Sequence, residues 1–121
     1  MTTTPTSTSD ASALQSAYSA GDVEALLARY ADDATVEIVD AQNTPSKPLR
    51  LEGKPAIRSH FEDILARDMT HEVDIVADGG DSVGYVLRCA YPDGTRVLCS
   101  AAAQLRDGKI VREVVIQAWD A

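Results

Sequence analysis

Apolar residues recur at helical spacing three times in the first half of the chain. The spacing i, i+3, i+4 places them on one side of a helix, the side that faces a core. Ser9 or Asp10 suits the start of the first helix, Asp22 the start of the second, and Lys54-Pro55 the start of the third. The predicted stripes are Leu14, Ala17 and Tyr18 in 11–19, Val23, Leu26, Leu27 and Tyr30 in about 23–30, and Ile57, Phe61, Ile64 and Leu65 after residue 54.

The second half changes to the residue types and alternation of β-strands. Turn sequences rich in Asp and Gly separate these runs at 78–81, 92–94 and 107–108, and are typical of hairpins. The order is helix, helix, strand, helix and a four-strand meander, which predicts an α+β fold with helices on one face of a curved, mostly antiparallel sheet. The predicted strands are 35–39, 73–76, 83–91, 97–105 and 110–119, and residues 41–50 are predicted to be a loop.

Hairpin geometry assigns the side chains to two faces of the sheet. A two-residue loop at Asp93-Gly94 pairs Pro92 with Thr95, and one at Asp107-Gly108 pairs Arg106 with Lys109. The alternation then puts Cys89 and Cys99 on opposite faces, so no disulfide is expected between them. One face carries Val83, Tyr85, Leu87, Cys89, Leu98, Ser100, Ala102, Gln104, Val111, Glu113, Val115, Gln117 and Trp119.

Composition narrows the functional classes. Residues 1–9 are rich in Thr, Ser and Pro and are expected to form a disordered tail before a single domain over 10–121. The formal net charge of −8 argues against nucleic-acid or anionic-membrane binding. No apolar run is long enough to span a membrane and no signal-peptide pattern stands at the start, so a cytoplasmic protein is predicted.

The cysteines and histidines give no metal or cofactor signal. Two cysteines make neither a disulfide framework nor a zinc cluster. Cys89 has no partner in the sequence that would lower its pKa, and His71, beside Glu72, is expected at the surface. We therefore predict no metal and no cofactor.

Four local motifs, in this order and spacing, resemble the nuclear transport factor 2-like superfamily. They are Ala20-Gly21-Asp22, the run 30–36 (YADDATV), the run 51–58 (LEGKPAIR) and Asp107-Gly108-Lys109-Ile110. The most similar branches are the SnoaL-like polyketide cyclases and the ketosteroid isomerases, and the resemblance covers about residues 10–119. It implies a cone in which three helices close the concave face of the sheet over a small-molecule pocket, and it implies homodimers through the outer face.

The resemblance also selects the pocket face. Tyr85, Glu113 and Gln117 match the pocket-lining strand positions of the family. Without the family, the other face, rich in Ala, Val and Ile, is the better candidate for packing on the helices. The positions that resemble the tyrosine acid, the base and the aspartic acid of ketosteroid isomerases hold Leu14, Ile38 and Ala101 or Ala102, so that mechanism is not expected.

Three residues are candidates for acid/base catalysis. Asp40 lies two residues beyond Ile38 on the same strand face, but it also begins a polar loop and could simply be solvated. His60 matches a pocket-lining position of the third helix, and could instead be a surface or core histidine. Glu113 is flanked by valines, so if it faces the cavity it is an acid/base candidate, and if the register slips by one it is an ordinary exposed residue.

Five further residues are candidates for ligand binding, each with a structural alternative as a packed or solvent-facing side chain: Tyr18, Tyr85, Gln104, Gln117 and Trp119. The sequence thus predicts a protein that binds a hydrophobic, oxygen-bearing compound. Cofactor-free isomerisation, cyclisation or dehydration is the predicted chemistry, with Asp40 or Glu113 as base and His60 and Tyr18 as donors to an oxyanion. The alternative is a non-catalytic ligand-binding or dimerisation module.

Overall fold

A computed structural model describes residues 10–120, and the predicted tail at 1–9 lies outside them. The helices and strands follow one another as α1 (Ala11–Ala20), α2 (Val23–Leu27), β1 (Tyr30–Val39), β2 (Leu49–Glu52), α3 (Lys54–Ala66), β3 (Thr70–Asp78), β4 (Ser82–Ala90), β5 (Arg96–Arg106) and β6 (Lys109–Trp119). They form one curved sheet in the order β2-β1-β6-β5-β4-β3, with the helices on its concave face. The predicted α+β class and the four-strand meander are confirmed.

The helix ends follow the predicted capping chemistry. The carboxylates of Asp10 and Asp22 accept hydrogen bonds from the amides of Ala13 and Ala25, both at 3.0 Å. Gly21 ends α1 in the left-handed conformation, at φ 64°. These bonds satisfy amides that have no partner inside the helix.

Several element boundaries differ from the prediction, most of all near the start of the sheet. α2 ends at Leu27, and Tyr30 begins β1, where the predicted helix still continued. β2 lies within and beyond the predicted loop 41–50 and pairs antiparallel with β1. β1 in turn pairs parallel with β6, so Val36 stands beside Glu113. This parallel pair places the first strand of the chain, β1, beside the last strand, β6.

The strand register corrects the predicted faces of β5. Residues 91–95 form a five-residue connection in which the Tyr91 amide donates to the Thr95 carbonyl at 2.9 Å, so β5 slips by one residue. Its buried residues are Val97, Cys99, Ala101 and Ala103, while Leu98, Ser100, Ala102 and Gln104 are exposed. Cys89 and Cys99 therefore share a face, contrary to the prediction, and both are free thiols.

A bulge in β6 restores the predicted face further along the chain. The pair Arg106–Lys109 is present as expected, but the register shifts between Gln104 and Leu105. The shift leaves Val111 as the extra residue, because Leu105 pairs with Ile110 and Gln104 pairs with Arg112. Glu113 consequently faces inward.

Candidate functional site

A cavity of about 540 Å³ lies between the helices and the concave face of the sheet. Tyr30, Tyr85 and Glu113 are almost fully buried, and we call their end of the cavity the inner end. Asp40, Gln117 and the partly exposed Trp119 lie near its mouth. Gln117 lies four positions after Glu113 on β6, which is about 13 Å of strand. The walls between are largely apolar, with Val36, Ile38, Leu51, Ile57, Phe61, Leu87 and Val115.

Glu113 is the one buried charged residue among those that the structure describes, at 2% exposure. Tyr30 donates its hydroxyl to Oε1 at 2.6 Å, and Tyr85 donates to Oε2. A carboxylate accepts hydrogen bonds and donates none, so two phenol donors suit its ionised form. Three strands, β1, β4 and β6, hold this arrangement, which makes it rigid.

The guanidinium of Arg29 supplies positive charge behind these rings. It lies 5.2 Å from the ring centroid of Tyr85 and 5.8 Å from that of Tyr30. None of its three nitrogens hydrogen-bonds to another of residues 10–120. Burial alone would lower the pKa of Arg29, but Tyr85, Tyr30 and Glu113 together raise it, so the group stays cationic. Arg29 compensates the buried negative charge of Glu113 without an ion pair between them.

Three phenols face the interior as permanent donors. Burial is the largest cause that raises the pKa of Tyr18, Tyr30 and Tyr85, and the charge of Glu113 raises it further. Tyr18 packs edge-on against Phe61, at a centroid distance of 6.5 Å. Because burial raises its pKa, the Tyr18 hydroxyl remains protonated at any physiological pH.

Asp40 occupies a different environment, although it also lines the cavity. Its Oδ1 accepts hydrogen bonds from the Gln42 amide at 2.9 Å, the Asn43 amide at 2.7 Å and the Asn43 side chain at 3.1 Å. Desolvation raises the pKa of Asp40, but these three bonds together lower it below its ordinary value. This is the geometry of a residue that fixes a turn, and it makes the carboxylate a weaker base.

His60 lies on α3 and lines the cavity. Burial lowers the pKa of its imidazole, an effect that the nearby Asp63 partly opposes. The ring is thus neutral near pH 7 and carries one N–H donor.

The aromatic side chains at the mouth contact one another. Trp119 stacks on Tyr91 at a centroid distance of 5.8 Å and donates Nε1–H to Oε1 of Gln117 at 3.2 Å. Arg67 donates to the Tyr91 hydroxyl at 3.0 Å and to Asp63 at 2.6 Å. Gln117 and Trp119 are thus brought together, as predicted from the pocket face.

Gln104 does not line the cavity. It is exposed on the outer face of β5, because the one-residue slip of the β4–β5 pair reverses the predicted faces of that strand. The other seven candidate residues, Tyr18, Asp40, His60, Tyr85, Glu113, Gln117 and Trp119, all line it.

The sequence prediction missed Tyr30, Arg29 and a pair of residues on β3 and β4. His71 stands opposite Cys89, with Nδ1 3.3 Å from Sγ, so the expectation of a surface histidine and an unpartnered thiol is wrong. Tyr30 does begin the run 30–36, one of the four motifs that carry the family resemblance. Nothing in the sequence pairs residue 71 with residue 89 before the register of β3 and β4 is known.

Residues 10–120 contain no group of three His, Cys, Asp or Glu side chains that could hold a metal ion. No helix among them is long and apolar enough to cross a membrane. Location in the cytoplasm stays a prediction.

Comparison with known proteins identifies the class. The chain is similar in fold to solved structures of the nuclear transport factor 2-like and cystatin-fold type, among them a protein from Mesorhizobium loti that is 19% identical (TM-score 0.73, 98% of this chain and 99% of that one). The model of the SnoaL-like domain family matches residues 11–113, so the chain belongs to that family. No curated protein matches the chain.

Two other solved structures are similar over most of their length. A loop-truncation variant of IdmH is 25% identical, with a TM-score of 0.67 over 91% of both chains. A candidate polyketide cyclase from Sinorhizobium meliloti is 24% identical, with a TM-score of 0.65 over 85% of this chain and 89% of that one. The predicted family resemblance is confirmed.

Proposed function

We propose that the protein binds a hydrophobic, oxygen-bearing compound, such as a polyketide, terpenoid or steroid-like ring, and isomerises, cyclises or dehydrates it by acid/base chemistry. One observation carries the proposal. Glu113 is a carboxylate at 2% exposure that lines a cavity of about 540 Å³ with largely apolar walls. A buried carboxylate in such a cavity is a typical acid/base group.

The base role goes to Glu113. It removes a proton from a carbon next to the substrate carbonyl, using a lone pair that the hydroxyls of Tyr30 and Tyr85 leave unused. Those hydroxyls fix the carboxylate in place, so proton transfer needs no reorganisation of the site. Asp40 is assigned to the turn at the mouth, because backbone amides already hold it.

The developing enolate oxygen needs hydrogen-bond donors. His60 and Tyr18 line the same cavity and both carry a proton near pH 7, so we assign them as donors. Ketosteroid isomerase chemistry of the usual kind is not proposed. Two of its acid/base positions correspond to Ile38 and to Ala101 or Ala102, and Ile38 and Ala101 are buried apolar residues of this cavity.

Deuterium exchange tests the proposal without knowledge of the natural substrate. The probe is 2-tetralone, a bicyclic ketone with exchangeable protons next to its carbonyl, followed by NMR in D₂O. We expect the wild type to accelerate exchange and Glu113→Gln to reduce the acceleration by about 100-fold or more. The matched control Asp40→Asn, a second carboxylate of the same cavity, is expected to change it less than about threefold. Equal exchange by the wild type and Glu113→Gln would contradict the assignment.

The non-catalytic alternative is favoured by one observation. Both oxygens of Glu113 already accept hydrogen bonds, as they do in a purely structural network. In that case saturation-transfer NMR shows that 2-tetralone binds, but neither the wild type nor any variant accelerates its deuterium exchange.

We also propose a homodimer through the outer face of the sheet. Ile75, Val86, Ser100 and Ile116 form a row of mutually paired positions across β3, β4, β5 and β6, and Ile75 and Ile116 are 57% and 56% exposed. Ile75 and Ile116 thus expose apolar side chains at the two ends of this row, and exposed apolar side chains favour association. Light scattering is expected to give the mass of two chains for the wild type and of one for Ile116→Glu; a monomeric wild type would refute the dimer.

A further inference from the structure

A thiol of the cavity wall takes no part in the acid/base reaction. Cys89 on β4 lines the cavity and is 7% exposed. His71 stands directly opposite on β3, and its Nδ1 lies 3.3 Å from Sγ. Cys99, on the inner face of β5, lines the same cavity wall. Three neighbouring strands thus bring an imidazole and two thiols together on the cavity wall.

We propose that Cys89, paired with His71, is a nucleophilic site that captures α,β-unsaturated ketones or aldehydes in this cavity by conjugate addition. A thiol within hydrogen-bond reach of an imidazole is the usual arrangement of an activated cysteine. The apolar walls suit the carbon skeleton of such a compound. The site uses neither Glu113 nor turnover, so it stands independently of the proposed acid/base function.

The groups that face Cys89 favour its thiolate. Hydrogen bonding with Cys99 lowers the pKa of Cys89 below that of a free thiol; burial opposes this effect, and the neighbouring His71 adds to it. The pKa of Cys99 rises, through its bond to Cys89 and through burial, so Cys99 stays a thiol and a donor. Tyr18 on α1 also faces the pair, with its ring centroid 5.0 Å from that of His71, and it remains a neutral phenol.

The reaction balances without an oxidant or a further reactant. His71 takes the proton of the Cys89 thiol, and the sulfur forms a bond to the β-carbon of the ligand. The carbon–carbon π bond breaks, and its electrons move to the carbonyl oxygen as an enolate. The proton on His71 then passes to the α-carbon, so that S–H has been added across the double bond.

Peptide mapping locates the adduct, because trypsin separates the two thiols. Cleavage after Arg88, Arg96 and Arg106 puts Cys89 in peptide 89–96 and Cys99 in peptide 97–106. The folded protein is incubated with 2-cyclohexen-1-one near pH 7, and with cyclohexanone, which has no double bond, as the control. We expect one added probe mass, on peptide 89–96 and with the enone alone. An adduct on 97–106 instead, or no adduct, would overturn the proposal.

The pH dependence of labelling distinguishes activation of Cys89 by His71 from simple accessibility of the thiol to the reagent. With iodoacetamide as the probe, the wild type is expected to reach its half-maximal rate well below the pH of about 8.5 that a free cysteine needs. His71→Asn is expected to raise this midpoint and to slow labelling at about pH 6 by up to about tenfold, while a change of access alone leaves the midpoint in place. A wild-type midpoint near that of free cysteine refutes the pair, even if the variant fails to fold.

Discussion

The two carboxylates of the cavity, Glu113 at the inner end and Asp40 at the mouth, have opposite environments. Glu113 is buried, is held by two phenol hydroxyls and is compensated by the charge of Arg29. Asp40 is partly exposed and accepts its hydrogen bonds from the turn that follows it. Asp40 directly follows β1, Glu113 lies on the neighbouring parallel strand β6, and both line one cavity, so their difference comes from partners and burial.

This difference indicates where the stability of the fold depends on charged groups. Removing a group from the inner end leaves a buried charge or a buried polar atom without its partner, which costs far more free energy than a lost surface contact. Removing the Asp40 carboxylate leaves only amides that water can reach. Four predictions follow this contrast, in decreasing order of expected effect.

Arg29→Met is expected to lower the free energy of unfolding by about 3 kcal/mol, because it leaves the buried Glu113 without compensating charge. Urea denaturation of the wild type and the variant measures the difference. The double variant Arg29→Met/Glu113→Gln should recover part of the loss. A single variant as stable as the wild type would mean that the two charges are not coupled.

Tyr30→Phe and Tyr85→Phe each remove a hydroxyl that donates to Glu113. Each is expected to cost about 2 kcal/mol in urea denaturation, as is usual for a hydrogen bond to a charged group. Tyr91→Phe is the matched control, since its hydroxyl accepts from Arg67 at the exposed mouth, and about 0.5 kcal/mol or less is expected there. Equal losses of unfolding free energy in all three variants would show that hydrogen bonds at the inner end stabilise the fold no more than those at the mouth.

Asp40→Ala is expected to cost about 1 kcal/mol, because the turn loses its acceptor, whereas Asp40→Asn keeps a side-chain oxygen in place and should cost less than about 0.5 kcal/mol. Thermal or urea unfolding distinguishes the two. A large loss of stability in Asp40→Asn would show that the negative charge of Asp40 stabilises the fold. Only the charge of Glu113 is expected to be coupled to the fold in this way.

His60 gives the smallest effect, as a dependence of stability on pH. Burial lowers its pKa in the folded protein, so the unfolded chain binds the proton more readily. The contribution of His60 is therefore fully present above about pH 6.5 and is lost as the pH falls through the lower, folded pKa. Comparing wild type with His60→Gln between about pH 7 and pH 5 should show a steeper loss in the wild type; parallel curves would contradict it.

Local signals predicted most of the elements, and they failed where pairing is decided at a distance. The caps Asp10 and Asp22 and the hairpin at 107–108 act within a few residues, so they are readable in the sequence. Gln104 was misassigned because a five-residue connection replaced the expected two-residue loop. The sequence left the direction of Glu113 open between the cavity and solvent, and its inward direction depends on a bulge at Val111 that no local pattern marks.

The sequence by itself determined the fold class and the family resemblance, and seven of its eight candidate residues line the cavity. Hydrophobic periodicity and turn chemistry are properties of neighbouring residues, so they can be read from the sequence. Only the tertiary structure decided which of the candidate groups acquire partners. Arg29 and Tyr30 meet Glu113 across more than eighty residues of chain, and His71 meets Cys89 across two strands. Such contacts follow from strand register, and a shift of one residue moves a side chain to the other face of the sheet.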